Sequence, residues 1–114
     1  MPLFTRTKRW LRRNYPCSMM LTVRVRPPND ELMLGVAGWF VPDESGYGTI
    51  YIAISTEGAM AETLIEEWCH ALRHACPLVV DYDGEPHDMI FWAIYGEVTN
   101  KWRTHFFAER DETV

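Results

Sequence analysis

The sequence lacks an unbroken apolar run of the roughly 20 residues that a membrane-spanning helix needs. Neither an apolar stretch nor a small-residue cleavage site follows the charged N-terminal residues, so we expect no secretory signal. Cysteine is sparse, with 3 residues. Cys69 and Cys76 would lie about 10 Å apart along a helix, too far for a disulfide. These absences predict a protein of the reducing cytoplasm without membrane contact.

Acidic residues are absent from positions 1–28, which hold seven bases: Arg6, Lys8, Arg9, Arg12, Arg13, Arg24 and Arg26. The rest of the chain holds all 16 acids, and the formal net charge is -5. Clustered bases neutralise phosphates and release counterions, so the bases of positions 6–13 are candidate contacts to nucleic acid. The alternative is a basic helix face that lies against the acidic body of its own chain. The sequence pI of about 5.3 argues against a dedicated nucleic-acid binder.

The chain has enough apolar material for one core, because 47% of its residues are hydrophobic and 13% are aromatic. Its 114 residues are the length of one domain. Hydrophobic periodicity predicts a helix over 3–14 within a basic N-terminal segment, 1–16, that Pro16 ends. Alternation and β-branched residues predict three strands, the last two joined by a hairpin loop, at 20–26, 34–41 and 49–54.

Two helices complete the pattern. Ser55 or Thr56 is the expected N-cap of a long helix that Pro77 stops. Pro86 suits the first turn of a final helix, and the acidic residues 108–114 are expected to fray. This order of a helix, three strands and two helices predicts one α+β domain with a small antiparallel or mixed sheet.

Acidic and histidine side chains cluster on the long helix. Glu66 and His70, four residues apart, are neighbours on one face, and Glu67 lies about 100° further round, beside His70 at the i+3 spacing. His74 offers a rival pairing with His70, in a register that lacks a glutamate beside its first histidine. Charged residues opposite a buried apolar stripe are ordinary, so the helix pattern fits either a solvated face or a metal site.

Residues 49–96 resemble the small zincin metallopeptidases of the SprT-like kind that bacteria and phages encode. In that family a strand leads into a helix bearing His-Glu-x-x-His, and a third histidine opens or lies in a later helix. Residues 66–70, Glu-Glu-Trp-Cys-His, occupy the place of the motif. His87, ahead of Phe91 and Trp92, resembles the third-ligand segment. The chain departs from the family at the first histidine of the motif, which is Glu66 here.

The resemblance implies that His70 and His87 are ligands of Zn²⁺, that Glu66 takes the first ligand position and that Glu67 is the general base. Two ligands one helical turn apart and a third from another element leave a position open for water. Glutamate fits this set because His₂Glu occurs in catalytic zinc sites, and its harder oxygen also admits another divalent metal such as Mn²⁺. The sequence offers other oxygen ligands in Asp81, Asp83 and Asp88.

The sequence is compatible with three functions. The first is a metal-dependent hydrolase that acts on peptide bonds. The second is a catalytically inactive zincin-fold module that binds a protein or peptide partner, and the third is a small nucleic-acid-binding accessory protein. Because the first metal ligand of the motif is altered, the sequence fits an active hydrolase and an inactive module equally well. Trp92 and Tyr95 are expected to pack in the core rather than to form a substrate platform.

Overall fold

The chain forms a helix, a three-stranded sheet and two further helices, in that order. The computed structural model describes residues 1–33, 35–78 and 87–107. Its elements are α1 (Leu3–Asn14), β1 (Met20–Arg26), β2 (Gly38–Pro42), β3 (Tyr47–Ala53), α2 (Glu57–Ala75) and α3 (Met89–Phe107), with a 3-10 turn at Glu31–Met33 before β2. The predicted α+β class is confirmed. The predicted helix start at Pro86 and the predicted fraying of 108–114 lie outside the described residues.

The N-terminal helix α1 is fixed to both other helices. Its buried side carries Phe4, Thr7 and Leu11, and its bases lie on the remaining surface. The Thr7 hydroxyl accepts a hydrogen bond from Trp102 Nε1 of α3 at 2.9 Å. The backbone N–H of Phe4 donates to the Glu57 carboxylate of α2 at 2.9 Å. These cross-links hold α1 in a defined orientation.

The middle strand of the sheet is β3, with β1 on one side and β2 on the other. β1 pairs with it in parallel and β2 antiparallel, so the sheet is mixed. The turn from β2 into β3 uses Gly46, whose φ of 90° is a conformation that glycine adopts readily. The predicted strand at 34–41 starts later than expected. The chain turns at Gly35, with φ 77°, and the Val36 N–H donates to the Met33 carbonyl.

The central helix α2 contacts α1, α3, β2 and β3. Thr56, one of the two predicted caps, begins it: its hydroxyl accepts a hydrogen bond from the Ala59 N–H at 3.2 Å. The apolar side of α2 buries Leu64, Ile65 and Trp68 almost completely. This burial supplies much of the hydrophobic stabilisation, at roughly 1.5–3 kcal/mol for each large side chain.

Strand β2 approaches α2 closely at Gly38. A Cβ atom placed there would lie 2.5 Å from Thr63 Cγ2 and 3.0 Å from the Tyr51 carbonyl oxygen, so a side chain would not fit. The second edge of β2 pairs with no other strand of the described chain. Among the described residues, this backbone edge of β2 is therefore unpaired and lies beside α2.

None of the described helices combines the length and the apolar character that crossing a membrane requires.

Candidate metal centre

Three side chains from two elements converge beside α2. Glu66 and His70 lie one turn apart on the helix, and His87 comes from the residues that lead into α3. The Nε2 atoms of His70 and His87 are 3.1 Å apart. Glu66 Oε2 lies 4.0 Å from His70 Nε2 and 3.7 Å from His87 Nε2. The three residues are half-buried, so the cluster is open to solvent on one side.

These atoms could hold a divalent metal ion. The triangle that they form has a centre about 2.1 Å from each corner, which is the length of zinc–imidazole and zinc–carboxylate bonds. Two imidazoles with one carboxylate are a known donor set for catalytic zinc. Burial lowers the pKa of His70 and the neighbouring His87 lowers it further, while Glu66 opposes the shift. This environment favours the neutral imidazole, which is the form that binds a metal.

A stack of three rings supports the two histidines. The ring of Phe91 lies 4.4 Å from that of His70 and 4.6 Å from that of His87, nearly parallel to both. Phe91 is fully buried, and Tyr95 stacks on its ring at 5.7 Å. The histidines therefore rest on a rigid apolar wall and present their Nε2 atoms to the same point.

An ion pair fixes the backbone next to His87. The Asp88 carboxylate accepts hydrogen bonds from the Arg73 guanidinium of α2 at 2.7 to 3.0 Å. It also accepts from the Phe91 N–H at 2.8 Å, which caps the start of α3. The hydrogen bonds from Arg73, and then the one from Phe91, hold the pKa of Asp88 below its usual range. Both oxygens of Asp88 therefore accept hydrogen bonds from Arg73, and its predicted role as a metal ligand is not supported.

The sequence analysis did not predict this pair. The aspartate three residues before Phe91 carries the signature of an N-cap, which could have assigned its role at the start of the final helix. Nothing local could identify Arg73 as its partner, because the two residues are 15 positions apart.

The predicted general base Glu67 is the buried neighbour of Glu66 on α2. It is 7% exposed, and its Cγ atom would be 3.4 Å from a Cβ at Gly38. It therefore sits between α2 and the start of β2. Burial, and secondarily the charge of Glu66, raise the pKa of Glu67 to about 7. Near neutral pH this carboxyl group can both accept and release a proton.

The rival histidine is not part of the cluster. His74 is exposed and contacts the Phe40 ring edge-on at 5.7 Å. Within the described ranges, Glu66, His70 and His87 are the one group of three or more acidic, cysteine or histidine side chains close enough to share an ion. The other two proposed oxygen ligands, Asp81 and Asp83, lie outside the described residues.

The surroundings of the cluster offer room for a ligand. Trp92 is 53% exposed and meets the His87 ring edge-on at 5.2 Å, so its predicted place in the core is wrong. A groove of about 300 Å³ between α2 and α3 runs from Glu66 past Glu62 and Tyr95. A bound molecule could reach the cluster from this groove.

Comparisons with protein-family models, with curated proteins and with solved structures found no match to this chain. The SprT-like resemblance therefore stays a prediction that rests on the residues quoted above.

Proposed function

We propose that this chain is a metal-dependent hydrolase of peptide bonds, with Glu66, His70 and His87 as ligands and Glu67 as the general base. The observation that supports it is the convergence of two imidazoles and a carboxylate around one point, with the buried Glu67 next to Glu66 in the helix. The SprT-like resemblance points to the same four residues and to the same chemistry.

The metal would supply Lewis-acid activation of water and of the scissile carbonyl, as Zn²⁺ does in metallohydrolases. The protein contributes the proton transfers. Glu67 accepts a proton from the attacking water, whose oxygen bonds to the carbonyl carbon. As the carbon–nitrogen bond breaks, the same carboxyl group returns that proton to the leaving amine. The position of Glu67 next to Glu66 on the helix suits this role.

A peptide is favoured as the substrate because of the unpaired edge of β2. Its backbone donors and acceptors could pair with an extended peptide, as in β-strand addition. That edge begins at Gly38, beside Glu67. A peptide lying along it would bring its backbone carbonyls close to the candidate base.

The test begins with the metal content of the full-length protein, purified without a metal-affinity tag or added metal. We expect about one equivalent of a divalent transition metal. With an unfolded fluorogenic protein as substrate, Glu67→Gln should keep the metal and lose activity by about 10²-fold or more. Glu44→Gln removes an exposed acid from the turn between β2 and β3, outside the cluster and the groove, and should retain both properties.

Two results would contradict the proposal. One is metal-free protein that takes up no zinc or manganese on titration. The other is a Glu67→Gln variant that is as active as the wild type. Stoichiometric metal without hydrolysis in the wild type would instead favour the inactive interaction module.

A further inference from the structure

The exposed side of α1 carries a row of arginines. Arg6, Arg9 and Arg13 follow the i, i+3, i+7 spacing and fall within a sector of about 60° on the helix. All three are exposed, and they lie opposite the buried Phe4 and Leu11. We call this row the arginine stripe.

No acid of the described chain neutralises the stripe. The ion pairs found among residues 1–33, 35–78 and 87–107 involve Arg26, His70, Arg73 and His87, and none reaches α1. Arg6 Nε donates to the Met1 carbonyl at 3.1 Å and its guanidinium lies over the Phe106 ring at 5.5 Å, and neither contact brings a negative charge to it. Within the described structure, the basic face of α1 therefore does not lie against an acidic surface of its own chain.

The packing of α1 argues against two kinds of partner, a lipid surface and a single-stranded nucleic acid. Its apolar side is buried against the rest of the protein, so α1 cannot insert that side into a lipid surface as an amphipathic anchor does. The nearby Trp10 ring packs against Tyr15, His105 and Phe106 and is not free to stack on an unpaired base. A single strand usually needs such stacking, whereas a duplex backbone needs only regularly spaced charge.

The spacing of the stripe suits phosphates. Arg6 and Arg13 are separated by about 10 Å along the helix axis, and one nucleic-acid strand places a phosphate about every 3.4 Å along the duplex axis. Three guanidinium groups over that length can each reach a separate phosphate and bind it with two parallel hydrogen bonds. Arg12 lies outside the sector of the stripe, about 100° round the helix from Arg13, where its guanidinium donates to the Leu21 carbonyl and lies over the Trp68 ring.

We propose that the arginine stripe of α1 binds the phosphate backbone of double-stranded nucleic acid, without sequence preference and independently of the metal centre. The acids outside positions 1–28 confine the contact to this side of the molecule, because they repel phosphates elsewhere. Three phosphate contacts give modest affinity with a marked salt dependence.

The test is fluorescence anisotropy of a labelled DNA duplex with the full-length protein in EDTA. The logarithm of the binding constant should fall with the logarithm of salt concentration with a slope of about −2.7, so that binding weakens roughly 40-fold between 50 and 200 mM. Arg9→Gln should reduce the magnitude of the slope by about 1. Arg24→Gln removes the same charge from an exposed position on β1 and should leave the slope unchanged.

Circular dichroism of each variant confirms that the fold is retained. The proposal is overturned if the duplex does not bind at low salt, or if Arg9→Gln and Arg24→Gln change the slope equally. It is also overturned if polyglutamate or vesicles of an anionic phospholipid bind more tightly than the duplex, since either result assigns the stripe to another partner.

Discussion

At the scale of single residues, Glu67 combines burial with a proposed role that requires charge. Its 7% exposure raises its pKa from 4.5 to about 7, because a carboxylate loses hydration when it is buried. A buried carboxyl group with a raised pKa destabilises the fold at neutral pH and is suited to proton transfer. The cost can be measured without any substrate.

We expect Glu67→Gln to stabilise the metal-free protein at neutral pH. Between pH 4.5 and about 7 the folded state holds the Glu67 proton more tightly than the unfolded state does, so this group lowers stability as the pH rises. The free energy of unfolding of the variant should therefore exceed that of the wild type by an amount that grows as the pH rises through this range, up to about 3 kcal/mol. Urea unfolding in EDTA at several pH values measures the difference.

Glu62→Gln is the matched control, since it removes an exposed acid from the same helix and should show a small, pH-independent difference. A constant difference between the wild type and Glu67→Gln across this pH range would refute the assignment of a buried, titrating carboxyl group.

At the scale of elements, the ion pair between Arg73 and Asp88 joins α2 to the start of α3 beside His87. We expect Asp88→Asn to weaken metal binding by about 10- to 100-fold, the usual loss when a residue that positions a ligand is changed. Asparagine still caps a helix, so the loss would report on the ion pair rather than on the cap. Zinc titration in competition with a chromophoric chelator measures the affinity.

Arg73→Gln should give a similar loss, and the double variant should lose little more, because both changes break the same interaction. Arg103→Gln, an exposed change elsewhere on α3, serves as the control. Unaltered zinc affinity in Asp88→Asn would show that His87 is positioned without this pair.

The elements also show what local sequence can and cannot predict. The two ends of α2 were predicted, because the Thr56 hydroxyl caps its start and Pro77, just beyond its end, cannot continue a helix. The start of β2 was not, because apolar residues before Gly38 resemble a strand while the chain turns at Gly35. The parallel pairing of β1 with β3 depends on contacts between distant segments, which no local pattern contains.

The candidate site divides in the same way. Glu66 and His70 were predicted as neighbours from helical spacing, and the proximity of His87 was expected only from the family resemblance. The partner of Asp88 depends on the packing of two helices, so it was not predicted. The exposure of Trp92 was missed because aromatic periodicity predicts an apolar face without saying how far that face is covered.

At the scale of the whole molecule, the cluster joins α2 to the residues that lead into α3. An ion that binds only the folded chain should stabilise it by about 2.7 kcal/mol at 100 times its dissociation constant. For a domain of this size we expect Tm to rise by roughly 10 °C or more. Thermal unfolding with and without zinc measures the shift.

His87→Ala should lose most of the zinc-dependent shift in Tm. His74→Ala removes a histidine that lies outside the cluster and should keep it. An equal shift in both variants would place the stabilising ion elsewhere.

The missing side chain at Gly38 has a consequence for the whole cleft. The clearance between β2 and α2 is set there by the bare main chain of Gly38 and the Thr63 side chain, whose Cγ2 atom lies 2.5 Å from where a methyl group would project. A larger residue there would have to displace Thr63 or move β2 away from α2, and the second change would take the peptide groups of β2 away from Glu67. Because Gly38 carries only a hydrogen atom at this point, the edge of β2 that would align a substrate can lie next to Glu67, the residue that would act on it.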